Sequence, residues 1–136
     1  MPWVPTAEDT PYARLGGRDA VIALAQTFYD VMERDEVALA RLHPLDADGR
    51  IVREARDRFA LFLVGWLGGP QDYVAAHGHP RLRMRHGRVR VDIAMRDAWV
   101  RCMRAAMEAE GVDPVVRAYL DARFAEVADF MRNAEG

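Results

Sequence analysis

The stretch Gly78-His79-Pro80-Arg81-Leu82-Arg83-Met84-Arg85-His86 is the most distinctive part of this sequence, and Arg96-Asp97-Ala98-Trp99 follows it closely. The first segment opens with a Gly-His-Pro turn, alternates arginine with apolar residues and ends on a histidine. A neutral imidazole is a strong metal ligand, and guanidinium groups pair well with carboxylates. Taken alone, however, His86 is more often a surface residue of a basic segment than a ligand. The rest of the chain has to decide between these interpretations.

Length and composition describe an ordinary globular domain. The chain has 136 residues, of which 51% are hydrophobic and 29% are charged, which suits one domain with a substantial core and argues against disorder. The formal net charge of -2 creates no global field that would recruit nucleic acid or an anionic membrane. No nucleic-acid or membrane partner is therefore expected.

The sequence also bears on the compartment. Cys102 is the single cysteine and cannot form an internal disulfide, which fits a reducing compartment. No apolar run approaches the roughly 20 residues that a membrane-spanning helix needs, and the first ten residues lack the apolar core of a signal peptide. We expect a cytoplasmic protein.

Hydrophobic periodicity predicts helices along nearly the whole chain. They are expected over residues 11–15, 18–33, 35–42, 50–67, 71–77, 80–86, 92–110 and from 114 onward, with Asp92 and Asp113 as N-caps. Residues 87–91 alternate like a strand, but a single short strand would have no partner. The buried face of the last helix is predicted to contain Val116, Tyr119, Leu120, Val127, Phe130 and Met131. The expected fold class is all-α.

Taken together, the two opening segments, Phe28-Tyr29 and Trp66-Leu67-Gly68-Gly69-Pro70 resemble the group II truncated haemoglobins, from about Tyr12 to about Met107. The resemblance implies a two-over-two α-helical sandwich around a haem b, with a tail over residues 1–11 and a single truncated-globin domain over residues 12–136. It also implies reversible binding of O₂ and other small diatomic ligands.

The resemblance assigns roles to individual residues. His86 sits at the position of the proximal iron ligand. Tyr29 and Trp99 match hydrogen-bond donors to the iron-bound ligand, and Ala55 and Phe59 match the distal-helix positions nearest the iron. The expected distal pocket consists of Tyr29, His43, Trp99, Ala55 and Phe59. The expected haem-binding residues are Phe28, Phe62 and Leu63 as apolar walls, His79 in the Gly-His-Pro turn, and Arg81 and Arg85 as candidates to anchor the propionates, of which Arg85 is the best because it directly precedes His86.

Three departures from the family pattern stand out. His43 occupies a position where many relatives have Tyr or Phe, Arg88-Val89 stands where Pro-Phe is common, and the loop over residues 45–49 is slightly longer. His43 could face the pocket, where it would titrate near neutral pH, or face water in its loop. The sequence leaves both orientations open, as well as direct ligation of iron by His43.

Alternative interpretations remain for the whole chain. His77 and His79 form a His-x-His pair, but zinc needs a third ligand, and none lies nearby in sequence. The arginines from 81 to 90 could be a nucleic-acid patch, although no aromatic residues alternate with them. Besides O₂ binding, the chain could be a haem enzyme, either a peroxidase or a nitric-oxide dioxygenase served by an electron-donor reductase. It could also be a haem-free helical interaction module.

Overall fold

A computed structural model describes residues 2–78 and 90–134. The secondary-structure elements of these residues are all α-helices. The helices are α1 Pro11–Leu15, α2 Arg18–Asp35, α3 Val37–Ala40, α4 Arg53–Trp66, α5 Asp72–His77, α6 Ile93–Ala109 and α7 Pro114–Met131. The described residues contain no β-strand, and Leu45 and Ile51 form only an isolated bridge. The all-α prediction is confirmed. The helix expected over residues 80–86 lies outside the described residues.

The packing is organised around α2. This helix packs against α4 and α6, and α6 packs against α7, so that α2 with α4 and α6 with α7 make up the two pairs of the sandwich. Apolar residues at helical spacing form the shared core, where Leu24, Phe28, Met32, Leu63 and Met103 are fully buried. Burial of such side chains is the main favourable contribution to folding.

Capping residues fix where the principal helices begin. The Asp92 carboxylate accepts a hydrogen bond from the Met95 N–H at 2.9 Å, and Asp113 accepts one from the Val115 N–H at 2.8 Å. Each carboxylate satisfies a backbone donor that has no partner inside the helix. Pro114 occupies the first turn of α7, where its missing N–H costs nothing. Both predicted N-caps are confirmed.

The pair Gly68-Gly69 allows the end of α4 to meet the start of α1. The Leu67 carbonyl accepts a hydrogen bond from the Tyr12 N–H at 2.9 Å. Gly68 has φ of +102°, and a Cβ on Gly69 would lie 2.5 Å from the Tyr12 ring. Glycine is required at both positions, because the first needs a left-handed backbone and the second leaves no room for a side chain.

The predicted buried face of α7 is partly wrong. Val116 and Leu120 are buried as expected, but Phe130 is 59% exposed, while Phe124, which was not predicted, is 3% exposed. The buried stripe follows residues 116, 120, 124 and 128, a four-residue step that turns Phe130 toward solvent. Tyr119, Val127 and Met131 are half-buried at the edge of this stripe.

The N-terminal segment lies against α1 and α7. The Trp3 ring packs edge-on against Tyr119 with centroids 5.3 Å apart, and its indole N–H donates to Asp9 at 2.9 Å. Asp9 also forms an ion pair with Arg14 at 2.7 Å. The hydrogen bonds from Arg14 and Trp3 lower the pKa of Asp9 to about 2. Within the described residues, no helix has both the length and the apolar character to span a membrane.

Candidate functional site

A cavity of about 420 Å³ opens between α2, the loop after α3, and helices α4 to α7. Its size falls in the range of small-molecule and cofactor sites. Seven of the residues predicted for the site line this cavity: Tyr29, His43, Ala55, Phe59, Phe62, Leu63 and Trp99. The fold therefore brings together residues that are far apart in sequence and belong to four different segments.

Tyr29 lies on α2 at one wall of the cavity. Its residue is 5% exposed, and its ring meets Phe59 and His43 edge-on, with centroids 5.6 and 5.7 Å away. Burial raises the pKa of Tyr29 above its usual value, with a smaller opposing effect from the cation of Arg56. The phenol is therefore neutral at physiological pH and keeps its O–H as a donor.

Trp99 approaches the same cavity from α6. Its ring packs edge-on against Phe28 at 5.2 Å and Phe124 at 5.8 Å between centroids. Buried Tyr and Trp usually find a hydrogen-bond partner for their polar atom. Among the residues that the structure describes, however, neither the Trp99 indole N–H nor the Tyr29 hydroxyl bonds to a protein group. Two donors are thus available to a molecule inside the cavity.

His43 follows α3 and lines the cavity beside Tyr29. Its Nδ1 lies 3.1 Å from the Leu39 carbonyl oxygen. Because a carbonyl can only accept a hydrogen bond, Nδ1 carries the proton in the neutral ring. The nitrogen that gains a proton on acidification is therefore Nε2, and the ring then donates from both nitrogens.

The remaining predicted residues divide into two groups. Phe28 is 1% exposed and packs against the rings of Tyr29, Phe59 and Trp99, which line the cavity. Its expected role as a haem wall stays a prediction. The expected ligands and anchors His79, Arg81, Arg85 and His86 lie outside the described residues.

Several cavity residues were missed by the sequence analysis. Arg58, Tyr73 and Phe124 all line the cavity, and Tyr73 is buried with its ring 5.7 Å from Phe62. Arg58 is exposed at the cavity edge, three residues after Ala55 on α4, so that helical spacing could have indicated its position. No local pattern indicated Tyr73, because α5 is too short to show periodicity.

The lining suits a flat and mostly apolar cofactor that carries anionic groups at one edge. Aromatic and aliphatic side chains form most of the walls, the residues Tyr29 and Trp99 that carry donors are part of the lining, and Arg58 is a lining residue that is also exposed to solvent. A haem has this chemistry, with an apolar ring and carboxylate propionates. Arg58 and Arg96 are the described cations that line the cavity. Arg96 already forms ion pairs with Asp97 and Asp129, so Arg58 is the better candidate to pair with a propionate.

Comparison with known proteins identifies the family. The family model for bacterial-like globins matches residues 10–133. The chain belongs to the bacterial-like globin family. It is 32% identical over 125 residues to the group 2 truncated hemoglobin YjbI of Bacillus subtilis (strain 168), covering 92% of this chain and 89% of that protein.

Solved structures agree with this family. The cold-adapted truncated hemoglobin of the Antarctic bacterium Pseudoalteromonas haloplanktis TAC125 shares 42% identity at a TM-score of 0.83, covering 92% of this chain and 98% of the other. The group II truncated hemoglobin of Bacillus anthracis shares 32% identity at a TM-score of 0.84, covering 93% and 98%. The group II assignment and the two-over-two globin fold predicted from the sequence are confirmed. Haem binding follows as the coarse function, because globins are haem proteins.

Proposed function

We propose that this globin binds haem b through His86 and reversibly binds O₂ and other diatomic ligands on the distal side. The observation that carries the proposal is that Tyr29 and Trp99, whose donors bond to no protein group among the described residues, both line one largely apolar cavity. When bound, the haem iron supplies the coordination position for the diatomic ligand. The chain supplies the axial imidazole, the apolar enclosure and the hydrogen bonds.

The distal donors favour O₂ over CO. Bound O₂ carries partial negative charge, so that a donor such as the Trp99 indole N–H stabilises it, whereas CO is close to neutral. A hydrogen bond to a charged group contributes about 1.5–3 kcal/mol, which corresponds to about ten- to a hundredfold in dissociation rate. With Tyr29 as a second donor, release of O₂ is slow, which suits storage, sensing or oxidative chemistry better than bulk transport.

Ala55 and Phe59 shape the space around the bound ligand. Ala55 is small, so it would leave room for a ligand of the haem iron, and its side chain provides no hydrogen bond. Phe59 contacts Tyr29 and Trp99 with its ring and therefore restrains both donors. The specificity of the pocket then depends on Tyr29, Trp99 and His43.

A second candidate function is peroxidase chemistry, and the position of His43 favours it. With Nδ1 held by the Leu39 carbonyl, Nε2 of the neutral ring is the nitrogen that can accept a proton, as general-base assistance to an incoming peroxide requires. A nitric-oxide dioxygenase cycle would in addition need an external electron donor, such as a reductase. Steady-state turnover of peroxide with a reducing substrate distinguishes a peroxidase from an O₂ carrier.

The direct test of O₂ binding is spectroscopic. Purified ferrous protein should bind O₂, release it when O₂ is removed, and return to the same deoxygenated spectrum over repeated cycles. A protein that takes up haem but oxidises irreversibly at the first exposure to O₂ would contradict reversible binding. Failure to take up haem would exclude the proposed function and leave the helical interaction module.

A further inference from the structure

Arg56 is the one charged residue that is buried among the described residues, at 7% exposure. It belongs to α4, next to the cavity residue Ala55. Its Nη1 donates to Asp30 at 2.9 Å, its Nη2 lies 2.8 Å from a carboxylate oxygen of Glu33, and its Nε donates to the Ile51 carbonyl at 3.2 Å. The guanidinium is therefore held by two carboxylates of α2 and by the chain that leads into α4.

The same guanidinium faces the pocket tyrosine. The Arg56 Cζ lies 5.6 Å from the centroid of the Tyr29 ring, a distance at which a cation interacts with an aromatic face. The two carboxylates that hold it, Asp30 and Glu33, follow Tyr29 by one and four residues on α2. The ion pairs thus keep the cation beside the Tyr29 ring.

Such a buried cation needs an explanation beyond stability. Removing a guanidinium from water is costly, and an apolar side chain of similar volume often stabilises a protein as well or better. Leu or Met at position 56 would also pack α4 against α2. Helix packing therefore does not require a charge at position 56, and the position of the charge beside Tyr29 suggests an effect on that side chain.

We propose that Arg56 is a positioning residue that polarises the Tyr29 hydroxyl, which strengthens its hydrogen bond to anionic ligands in the cavity, and that Glu33 moderates this effect. The inference rests on the proposed function, because the ligand is the one bound at the haem. A cation beside a phenol favours the charge distribution of the phenolate, so that the O–H becomes a stronger donor. The effect on the Tyr29 pKa has this sign, since Arg56 opposes the rise that burial causes.

Glu33 carries the opposing charge. Burial tends to raise its pKa, but the hydrogen bonds from Arg56 and from the Ile51 N–H outweigh burial, and the pKa of Glu33 lies below its usual value. The carboxylate is therefore ionised at neutral pH and partly cancels the field of Arg56 at Tyr29. Removing the cation should make the Tyr29 hydroxyl a weaker hydrogen-bond donor, and removing the carboxylate should make it a stronger one.

This opposition separates an electrostatic role from a mechanical one. Arg56→Met and Glu33→Gln both break the ion pair between Arg56 and Glu33. If this ion pair only tied α2 to α4 mechanically, both variants would change ligand binding in the cavity in the same direction. In Glu33→Gln the amide oxygen can still accept from the Ile51 N–H, which now bonds to Glu33 at 2.6 Å. Arg56→Lys keeps the charge and serves as the rescue variant.

The experiment uses fluoride and CO as probes of the haem-loaded protein. For Arg56→Met, we expect fluoride to bind the ferric protein about threefold or more weakly and the infrared stretching frequency of bound CO to rise, because the pocket becomes less positive. For Glu33→Gln, we expect tighter fluoride binding and a lower CO frequency. Arg56→Lys should remain near the wild type. Shifts of the same sign in Arg56→Met and Glu33→Gln, or none in either, would overturn the proposal.

A haem-independent measurement keeps this test separate from the proposed function. In protein labelled with ¹³C-tyrosine, the Tyr29 ring-carbon resonance next to the hydroxyl, assigned with Tyr29→Phe, should move in opposite directions in the two variants. If the wild type takes up no haem, the proposed function fails, whereas the resonance still decides the role of Arg56. Should Glu33→Gln fail to fold, Asp30→Asn replaces it, since Asp30 is more exposed and pairs with the same guanidinium.

Discussion

At the scale of single residues, Trp99 offers the cleanest change in the pocket. Replacing it with Phe keeps much of its bulk and removes a group that can only donate. We expect O₂ to dissociate at least about tenfold faster in Trp99→Phe, which corresponds to the loss of one charge-assisted hydrogen bond. Stopped-flow mixing of the oxygenated protein with CO measures this rate.

A matched control for Trp99 is available on α4. Trp66 also lines the cavity, but its ring stacks on Phe124 and does not pack against the rings of Tyr29 or Phe59. Trp66→Phe should therefore leave the O₂ dissociation rate nearly unchanged. Equal acceleration in both variants would show that the release of O₂ does not depend on the Trp99 donor in particular.

The second residue-scale prediction concerns His43 and pH. Protonation places a second N–H on the ring, at Nε2, which strengthens binding of an anion-like ligand. The effect is present when His43 is charged and is lost as pH rises, so that O₂ dissociation should slow as pH falls from about 8 to about 5.5, around the ordinary histidine pKa. Tyr29 stays neutral in this range because burial raises its pKa.

The variant His43→Phe should flatten this dependence while haem remains bound. His77→Phe is the matched control, because His77 is an exposed histidine of α5 whose ring packs on the cavity residue Tyr73. It should keep the wild-type profile. If His43→Phe retains the full pH dependence, another group controls O₂ release and His43 has no part in ligand binding.

At the scale of elements, α7 provides a pair of phenylalanines in opposite environments. Phe124 is buried against Trp66 and Trp99, whereas Phe130 lies two turns further on and is largely exposed. We expect Phe124→Ala to lower the free energy of unfolding by about 3–5 kcal/mol and Phe130→Ala to change it by less than about 0.5 kcal/mol. Chemical denaturation followed by circular dichroism measures both. Similar losses of unfolding free energy in the two variants would contradict the buried face of α7 described above.

Helix α6 depends on its N-cap, because it carries Trp99 into the cavity. Asp92→Ala removes the acceptor of the Met95 N–H and should cost about 1 kcal/mol of unfolding free energy. Glu108→Ala, in the last turn of the same helix and with a 77% exposed side chain, should cost little or nothing, since a carboxylate there opposes the helix dipole. An equal loss in both variants would argue against capping as the cause.

The contrast between these elements explains how far the sequence could be interpreted. Helix starts at Asp92 and Asp113 were predictable, because capping is a local interaction between a side chain and the next turn. The exposed Phe130 was not, because apolar character alone could not fix which residues of α7 face α6. Arg56 was missed for a related reason, since its burial depends on Asp30 and Glu33, which are distant in sequence and identifiable only in the fold.

The pocket shows the same division. The resemblance to the family predicted that Tyr29, Ala55, Phe59 and Trp99 line one cavity. Family motifs carry information about tertiary positions, which hydrophobic periodicity does not. The resemblance gave no indication of Tyr73, whose contact with Phe62 arises from the way the short α5 folds back on α4.

At the scale of the whole molecule, the cavity joins the two helix pairs, so its occupant should contribute to the stability of the entire fold. A ligand that binds only the native state stabilises it by about 2.7 kcal/mol when its free concentration is 100 times the dissociation constant. The haem-loaded protein should therefore unfold at a higher temperature than the haem-free protein. The variant that should lose the largest part of this stabilisation by haem is the one without the proposed iron ligand, His86→Gly.

We propose that this globin holds one haem through His86, and the decisive measurement is a titration of the haem-free protein with haem, followed by absorption spectroscopy. The wild type should develop a sharp Soret band that saturates at one haem per chain. His86→Gly should bind haem far more weakly, and added imidazole should restore the spectrum, whereas His77→Gly should titrate like the wild type. A native-like ferrous spectrum in His86→Gly without imidazole would contradict ligation by His86, and no saturable uptake in the wild type would contradict haem binding.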